Sequence, residues 1–341
     1  RLSSGMLLLT GAVVGLKCVK WSALAARATS PRSARPLCSA PSTADTDVSM
    51  GRPVISWYPG HIAKAERLMT EVLSMCDVVV ELRDARIPRA TSHPMLSQWV
   101  GSRRQVLVLN RADAVPERAL SEWSGALSRM DGPDVFVSDA RLGEGVAALK
   151  RAIVEEGKHV NERRKRRGIA PRPIRAAVLG YPNVGKSALI NRLVGQRKVK
   201  SENRPGVTRG FSWIRIDSDV QLLDSPGIIP AKQVDGSAAY HLAMCDDIGN
   251  AAYDTQGVAA ALFERLVDVA AARPAFARAA AESLRERWGV PLEGYSGEEY
   301  LQALAERRFT GDVERAAQQL LKDFRTGRLG RVCLELPPKA E

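Results

Sequence analysis

The run Ala176-Ala177-Val178-Leu179, leading into Gly180-Tyr181-Pro182-Asn183-Val184-Gly185-Lys186-Ser187, constrains the fold more than any other part of the chain. An apolar strand pattern enters a G-x-x-x-x-G-K-S loop, and a helical pattern follows from Ser187 to Leu193. A strand, a glycine-rich turn and a helix in that order demand an α/β fold with a mostly parallel sheet flanked by helices. The glycines let backbone N–H groups point inward and cradle a β-phosphate at the helix N-terminus. Asn183, Val184, Gly185, Lys186, Ser187 and Ala188 are therefore the expected phosphate-binding residues. Lys186 is placed to reach the β and γ oxygens, and the Ser187 hydroxyl to hold magnesium.

Two further motifs complete a nucleotide site. Asp224-Ser225-Pro226-Gly227 fits D-x-x-G at the end of a strand, with Asp224 holding magnesium through water and the Gly227 N–H sensing a γ-phosphate. Between the two loops, Thr208 offers a second hydroxyl for magnesium on a segment free to order and disorder. Asn110-Arg111-Ala112-Asp113 follows the apolar run Val106–Leu109 and varies N-K-x-D. Its Asp113 carboxylate can accept from guanine N1 and N2 together, which adenine does not offer. Asn110 is expected to tie this loop to the phosphate loop, and the planar Arg111 guanidinium to stack over the base. Ser138-Asp139-Ala140, after the next strand, fits the loosest guanine-contacting motif. No [N/T]-[K/R]-x-D occurs after Gly227, so the base-reading motif lies before the phosphate loop. A parallel sheet tolerates that order, since permutation only joins old termini and opens a surface loop.

The remaining pattern fits this reading. Strands are expected at Asp77–Leu82, Val106–Leu109, Val135–Val137, Ile174–Leu179, Phe211–Ile216 and Val220–Leu223. Helices are expected at Met95–Val100, Pro116–Arg129 and Gly145–Glu155. The basic run Arg163–Arg167, ahead of Gly168, Pro171 and Pro173, reads as a linker and the joint of the permutation. Beyond Asp235 apolar residues recur at helical spacing (Val258, Leu262, Leu266, Val269), with a strand signal returning only at Val332–Leu336. The expected domains are a leader at 1–48, a permuted nucleotide-binding domain at 49–234 and a small, mostly helical domain at 235–341.

With 341 residues and a formal charge of +12, the chain has room for two cores and favours a polyanionic partner. Arg1 to Ala44 carries six Lys or Arg and no Asp or Glu, half of the net excess. An acid-poor, Ser- and Ala-rich segment of this kind suits an organelle transit peptide. A secretory signal is the rival; five scattered cysteines without a disulfide or zinc spacing argue against it. The apolar run Met6–Leu16 is too short to span a bilayer, so no stable membrane insertion is expected.

From about Ser56 to the C-terminus these residues resemble the circularly permuted YlqF/YawG group of GTPases, which includes ribosome biogenesis GTPase A. Trp57-Tyr58-Pro59-Gly60-His61-Ile62-Ala63-Lys64 is similar to that family's W-F-P-G-H-M-x-K, and Asp84-Ala85-Arg86 matches the triplet of the plant DAR GTPases. Thr91-Ser92-His93-Pro94 and Cys245-Asp246-Asp247-Ile248-Gly249 look most like the chloroplast DAR GTPase 3 type. The resemblance implies a circularly permuted P-loop GTPase domain and a helical RNA-contacting domain containing Asp323–Gly330. It also implies a role in maturing the large subunit of a bacterial-type ribosome, in the chloroplast stroma or alternatively the mitochondrion. The expected partners are GTP and GDP, the large-subunit precursor and its rRNA, with a monomer when free.

Ile228 follows Gly227 where a water-positioning Gln is usual, so the isolated enzyme is expected to be slow. Asn183 stands where potassium-stimulated GTPases carry an Asn ligand, and a monovalent cation there supplies charge as an arginine finger does. His61 is the family's candidate for orienting water, its alternative being a structural or RNA-facing histidine. Lys186 and Thr208 complete the expected catalytic set. Arg163–Arg167 is either solvated or a phosphate-backbone contact, and Arg325, Arg328 and Arg331 are expected RNA contacts. Nucleotide state is expected to reach the helical domain through the peptide just beyond Gly227. The rival functions are a switch acting on protein partners and a GTP-dependent binding module with vestigial hydrolysis.

Overall fold

The computed structural model describes residues 69–130, 132–195, 212–224, 236–249, 252–290 and 292–338. All belong to the compact unit Asp47–Glu341. The leader, His61, Thr208, Gly227 and Ile228 lie outside the described residues.

Six strands form one sheet in the order β3-β2-β1-β4-β6-β5. They are β1 (Val78–Asp84), β2 (Arg104–Asn110), β3 (Val135–Val137), β4 (Ile174–Leu179), β5 (Ser212–Arg215) and β6 (Val220–Asp224). Every neighbouring pair is parallel except β5 with β6, whose hairpin puts an antiparallel strand at one edge. The near-continuous apolar runs of β1, β2 and β4 follow from burial on both faces. On one face Val78, Val80, Leu82, Val106, Val108, Ala176 and Val178 join the main core; on the other Val79, Ala177, Leu179 and Leu223 pack with Met69, Leu73, Leu96 and Trp99. Each buried Val or Leu among them contributes roughly 1.5–3 kcal/mol.

The helices between strands are α1 (Leu96–Val100), α2 (Glu117–Arg129), α3 (Val146–Arg166) and α4 (Lys186–Val194). Pro116 occupies the N-cap position of α2, Trp123 and Ala119 face the core, and Leu149 and Ile153 do so from α3. One expectation fails here: the basic run is not a linker but the last turn of α3. Lys and Arg are good helix formers, and their charge favours the negative end of the helix dipole. The true connection is residues 167–173. There Arg164 Nε donates to the Ala170 carbonyl at 2.8 Å, and Arg172 grips Asp77 through two hydrogen bonds of 2.7 and 2.9 Å.

Beyond the sheet lie α5 (Gly236–Met244), α6 (Thr255–Ala272), α7 (Pro274–Trp288), α8 (Gly297–Arg308) and α9 (Val313–Arg325). Val258, Leu262, Leu266 and Val269 are buried along α6, as their spacing predicts. Side-chain caps by Asp254, Ser296 and Asp312 start α6, α8 and α9. Where α8 begins, a Cβ on Gly297 would lie 2.3 Å from the Ala260 carbonyl oxygen, so only glycine permits this approach. Phe263 and Tyr300 stack beside it at 3.9 Å between ring centroids.

The expected strand at Val332–Leu336 is instead an extended tail outside the sheet. Val332 N donates to Ala114 O at 2.8 Å, Cys333 N to Phe276 O at 3.1 Å and Leu334 N to Arg86 O at 2.9 Å. The alternating donors serve both the sheet layer and the helices, which leaves no ladder for a neighbouring strand. Glu335 completes the tie. Its buried carboxylate accepts from Arg89 N and Ala90 N at 2.6 and 2.9 Å and lies 3.2 Å from His241 Nδ1.

Candidate functional site

The motif residues converge at the carboxyl ends of the parallel strands, where an open α/β sheet places its ligands. Asp84 ends β1, Asn110 ends β2, Ser138 follows β3, the glycine-rich loop follows β4 and Asp224 ends β6. β1 and β2 come first in the chain, yet β1 lies beside the phosphate-loop strand β4. The inverted motif order therefore still builds one pocket.

Asn110 joins the two halves of that pocket. Its Nδ2 donates to Val184 O at 2.8 Å, while its Oδ1 accepts from Ser138 Oγ at 3.2 Å and Ala140 N at 3.1 Å. Gly185, at φ +103°, is indispensable here, because a Cβ would lie 2.3 Å from Asn110 Nδ2. Asp139 organises the neighbouring turn: its Oδ1 accepts from the Arg141 and Leu142 N–H groups. Ala140 N–H is thus already engaged by Asn110.

The Asp113 carboxylate, the expected base reader, is also engaged. Arg141 Nη2 donates to Asp113 Oδ2 at 2.7 Å, across an exposed pair. Arg192 Nη2 in turn bonds the Arg141 carbonyl. Arg111 departs from expectation. Its Nη2 donates to Asn183 O at 2.6 Å and its Nε lies 3.2 Å from Asp84 Oδ2, so the guanidinium is committed to the phosphate loop rather than held for stacking on a base.

At the phosphate end, Lys186 Nζ donates to Gly180 O and Tyr181 O at 3.1 and 2.6 Å. Burial lowers its pKa to about 8 against the opposing charges of Asp224 and Asp247. Burial likewise pushes Asp224 up to about 6, with Lys186 pulling the other way. Asp224 Oδ1 is buried without a hydrogen-bond partner among the described residues. A buried carboxylate oxygen with no donor, one strand away from Ser187, fits a hydrated magnesium ion, which would supply Lewis-acid charge and draw the carboxylate back to its ionised form. Ser187 and Ala188 stand in the first turn of α4, half-buried.

Behind the loops lies a charged cluster that the motifs only hint at. Arg86, fully buried, grips Asp84 through Nε at 3.0 Å and Nη2 at 2.7 Å, and its Nη2 reaches Cys245 O at 3.3 Å. Burial opposes ionisation of both, but their mutual attraction, with help from Arg111, holds Asp84 below the usual carboxylate range and raises Arg86. Asp247, also fully buried, has neither oxygen hydrogen-bonded among the described residues. Burial, reinforced by the Asp84 charge, pushes it well up from the carboxylate range. Asp84-Ala85-Arg86 was visible as a triplet, but nothing in sequence spacing places Asp247 or Cys245 against it.

Arg325 also stands apart from its expected RNA-contacting role. Its guanidinium donates to Met244 O, Ala243 O and Tyr253 Oη at 3.0, 2.7 and 2.7 Å. Arg328 is 3.6 Å from Asp323, and Arg331 is exposed.

This arrangement, a phosphate loop after one parallel strand and a guanine-reading loop from an earlier one, defines a circularly permuted P-loop GTPase. Comparison with known proteins agrees. Residues 175–264 match the family described as 50S ribosome-binding GTPase. Ribosome biogenesis GTPase A of Priestia megaterium is 32% identical over 294 residues, covering 84% of this chain and 98% of the relative. The Bacillus cereus protein of the same name is 33% identical over 290 residues, covering 83% and 94%. The chain belongs to the ribosome biogenesis GTPase A family. Among solved structures, GNP-bound YlqF from T. maritima shares the fold with a TM-score of 0.55 at 24% identity, covering 81% of this chain and all of that one.

Proposed function

We propose that this chain is a GTP-hydrolysing assembly factor for the large subunit of a bacterial-type organellar ribosome. The observation that carries the reading is the bond from Asn110 to the phosphate loop, which makes one guanine-nucleotide pocket from motifs in inverted order. The names of the relatives support the ribosomal part.

In this reading magnesium is held by Ser187, Thr208 and Asp224, and potassium by Asn183. Hydrolysis is slow in isolation and accelerated by ribosomal particles, with His61 orienting water. Arg163, Lys165, Arg166 and Arg167 meet rRNA phosphates; they are exposed and have no ion pair among the described residues. Arg328 and Arg331 add to this surface. The resemblance to the chloroplast DAR GTPase 3 type favours the stroma over the mitochondrion, and no helix among the described residues is long and apolar enough to cross a membrane.

The test is steady-state GTP turnover by the full chain in magnesium, with and without bacterial-type large subunits, in KCl and in NaCl. Stimulation by the particles and by KCl is expected. Turnover indifferent to particles would overturn the ribosomal reading. Equal rates in the two salts, with Asn183→Ala unchanged, would remove potassium alone. A fluorescent fusion of residues 1–50 decides the organelle.

A further inference from the structure

Four non-glycine residues among those described adopt positive φ: Arg111 (62°), Asn183 (58°), Asp246 (66°) and Thr310 (53°). Three of them form a single chain of contacts. Arg111 Nη2 donates to the Asn183 carbonyl at 2.6 Å, and Asn183 Nδ2 donates to the Asp246 carbonyl at 2.6 Å. Left-handed backbone at non-glycine residues costs free energy and persists only where the surroundings impose it. Here the three costs fall on one line, running from the base-reading loop through the phosphate loop to the turn after α5.

That turn is clamped from its far side. Arg325, on the last turn of α9, takes the carbonyls of Ala243 and Met244, and Arg86 takes that of Cys245. Three consecutive carbonyls are thus held by two arginines, and the fourth, on Asp246, is presented to Asn183. The bond also fixes the sense of the Asn183 amide. Its nitrogen faces the helical segment, so its oxygen is the end directed away from it.

From this geometry we propose that Asp246, in the turn clamped by Arg325 and Arg86, is a positioning residue for the nucleotide site, acting through Asn183. The carbonyl of a residue in the helical segment sets the phosphate-loop asparagine, so nucleotide binding and the packing of α9 are energetically linked. The link rests on the nucleotide-binding reading of the site and goes beyond it by assigning a contact from outside the GTPase motifs. Linkage is reciprocal: nucleotide must tighten the turn by the same factor that the turn tightens nucleotide.

Two substitutions at one position test the idea. Asp246→Gly and Asp246→Val both delete the carboxylate near Arg325, but glycine keeps the left-handed backbone whereas β-branched valine resists it. Titration of the full-length protein with fluorescent GDP is expected to give a Kd within about twofold of wild type for Asp246→Gly and roughly tenfold weaker for Asp246→Val. Hydrogen exchange at residues 243–249 should slow on adding GDP in the wild type and Asp246→Gly, and respond less in Asp246→Val. Arg325→Met, which releases the clamp without altering backbone preference, should weaken GDP binding in the same direction and serves if the valine variant does not fold. Equal GDP affinity in all four proteins, with exchange at 243–249 indifferent to GDP, would overturn the proposal. Failure of the wild type itself to bind GDP would instead refute the nucleotide site.

Discussion

Asn110 Nδ2 donates to Val184 O at 2.8 Å, although the two residues are separated by a helix–strand–helix–strand passage of the chain. This bond, with the two that Asn110 Oδ1 accepts, holds the base-reading loop, the Ser138–Ala140 turn and the phosphate loop in one piece. Replacing Asn110 by Ala leaves Val184 O and Ala140 N without these partners. An unsatisfied buried group costs about 1–3 kcal/mol, so GDP binding should weaken by roughly tenfold to a hundredfold, measured by calorimetric titration.

In the proposed reading Asp113 carries the base selectivity. Asp113→Asn exchanges an acceptor for an amide, which mismatches the guanine N1 and N2 donors and suits the additional oxygen of xanthine. GDP affinity should fall by roughly tenfold to a hundredfold while xanthosine diphosphate affinity rises. Competition of the two nucleotides against a fluorescent probe measures the crossover. Unchanged preference would place the base elsewhere.

The Asp84–Arg86 pair predicts a stability effect with a distinctive rescue. Arg86→Met leaves Asp84 buried without its main partner, and breaking such a pair costs about 3–5 kcal/mol in urea denaturation. The double variant Asp84→Leu/Arg86→Met should recover much of that loss, because no lone charge remains. The rescued protein should still bind GDP more weakly than wild type, since Arg111 loses its Asp84 partner.

His93 predicts acid sensitivity. It is buried against Trp99, its Nδ1 accepts from Met95 N, and burial lowers its pKa to about 4 from 6.5. A histidine depressed in the folded state contributes stability fully present above pH 6.5 and lost as pH falls through about 4. The loss amounts to a few kcal/mol over that window. Urea midpoints at pH 7 and pH 4.5 should differ less in His93→Gln than in the wild type.

Much of this was legible in the sequence, for identifiable physical reasons. Strands buried on both faces spell continuous apolar runs, so β1, β2, β4 and β6 were placed within a few residues. The glycine-rich loop and D-x-x-G were legible because their chemistry depends on local spacing. Arg163–Arg167 was misread because charge alone does not separate a solvated linker from a helix C-terminus that favours cations. Arg325 was misread for a related reason: whether an arginine faces solvent or three internal oxygens is decided by where the last turn of α9 meets the end of α5. The Asn183–Asp246 bond was beyond reach, since it joins loops 63 positions apart, and the tolerance of Asn and Asp for left-handed backbone names no partner.

The ribosomal role itself is tested most directly by co-sedimentation of the full-length protein with large-subunit precursors, in GDP and in a non-hydrolysable GTP analogue. Nucleotide-dependent association is expected, stronger with the analogue and falling steeply with salt as phosphate contacts require. Absence of association in both nucleotide states would contradict it.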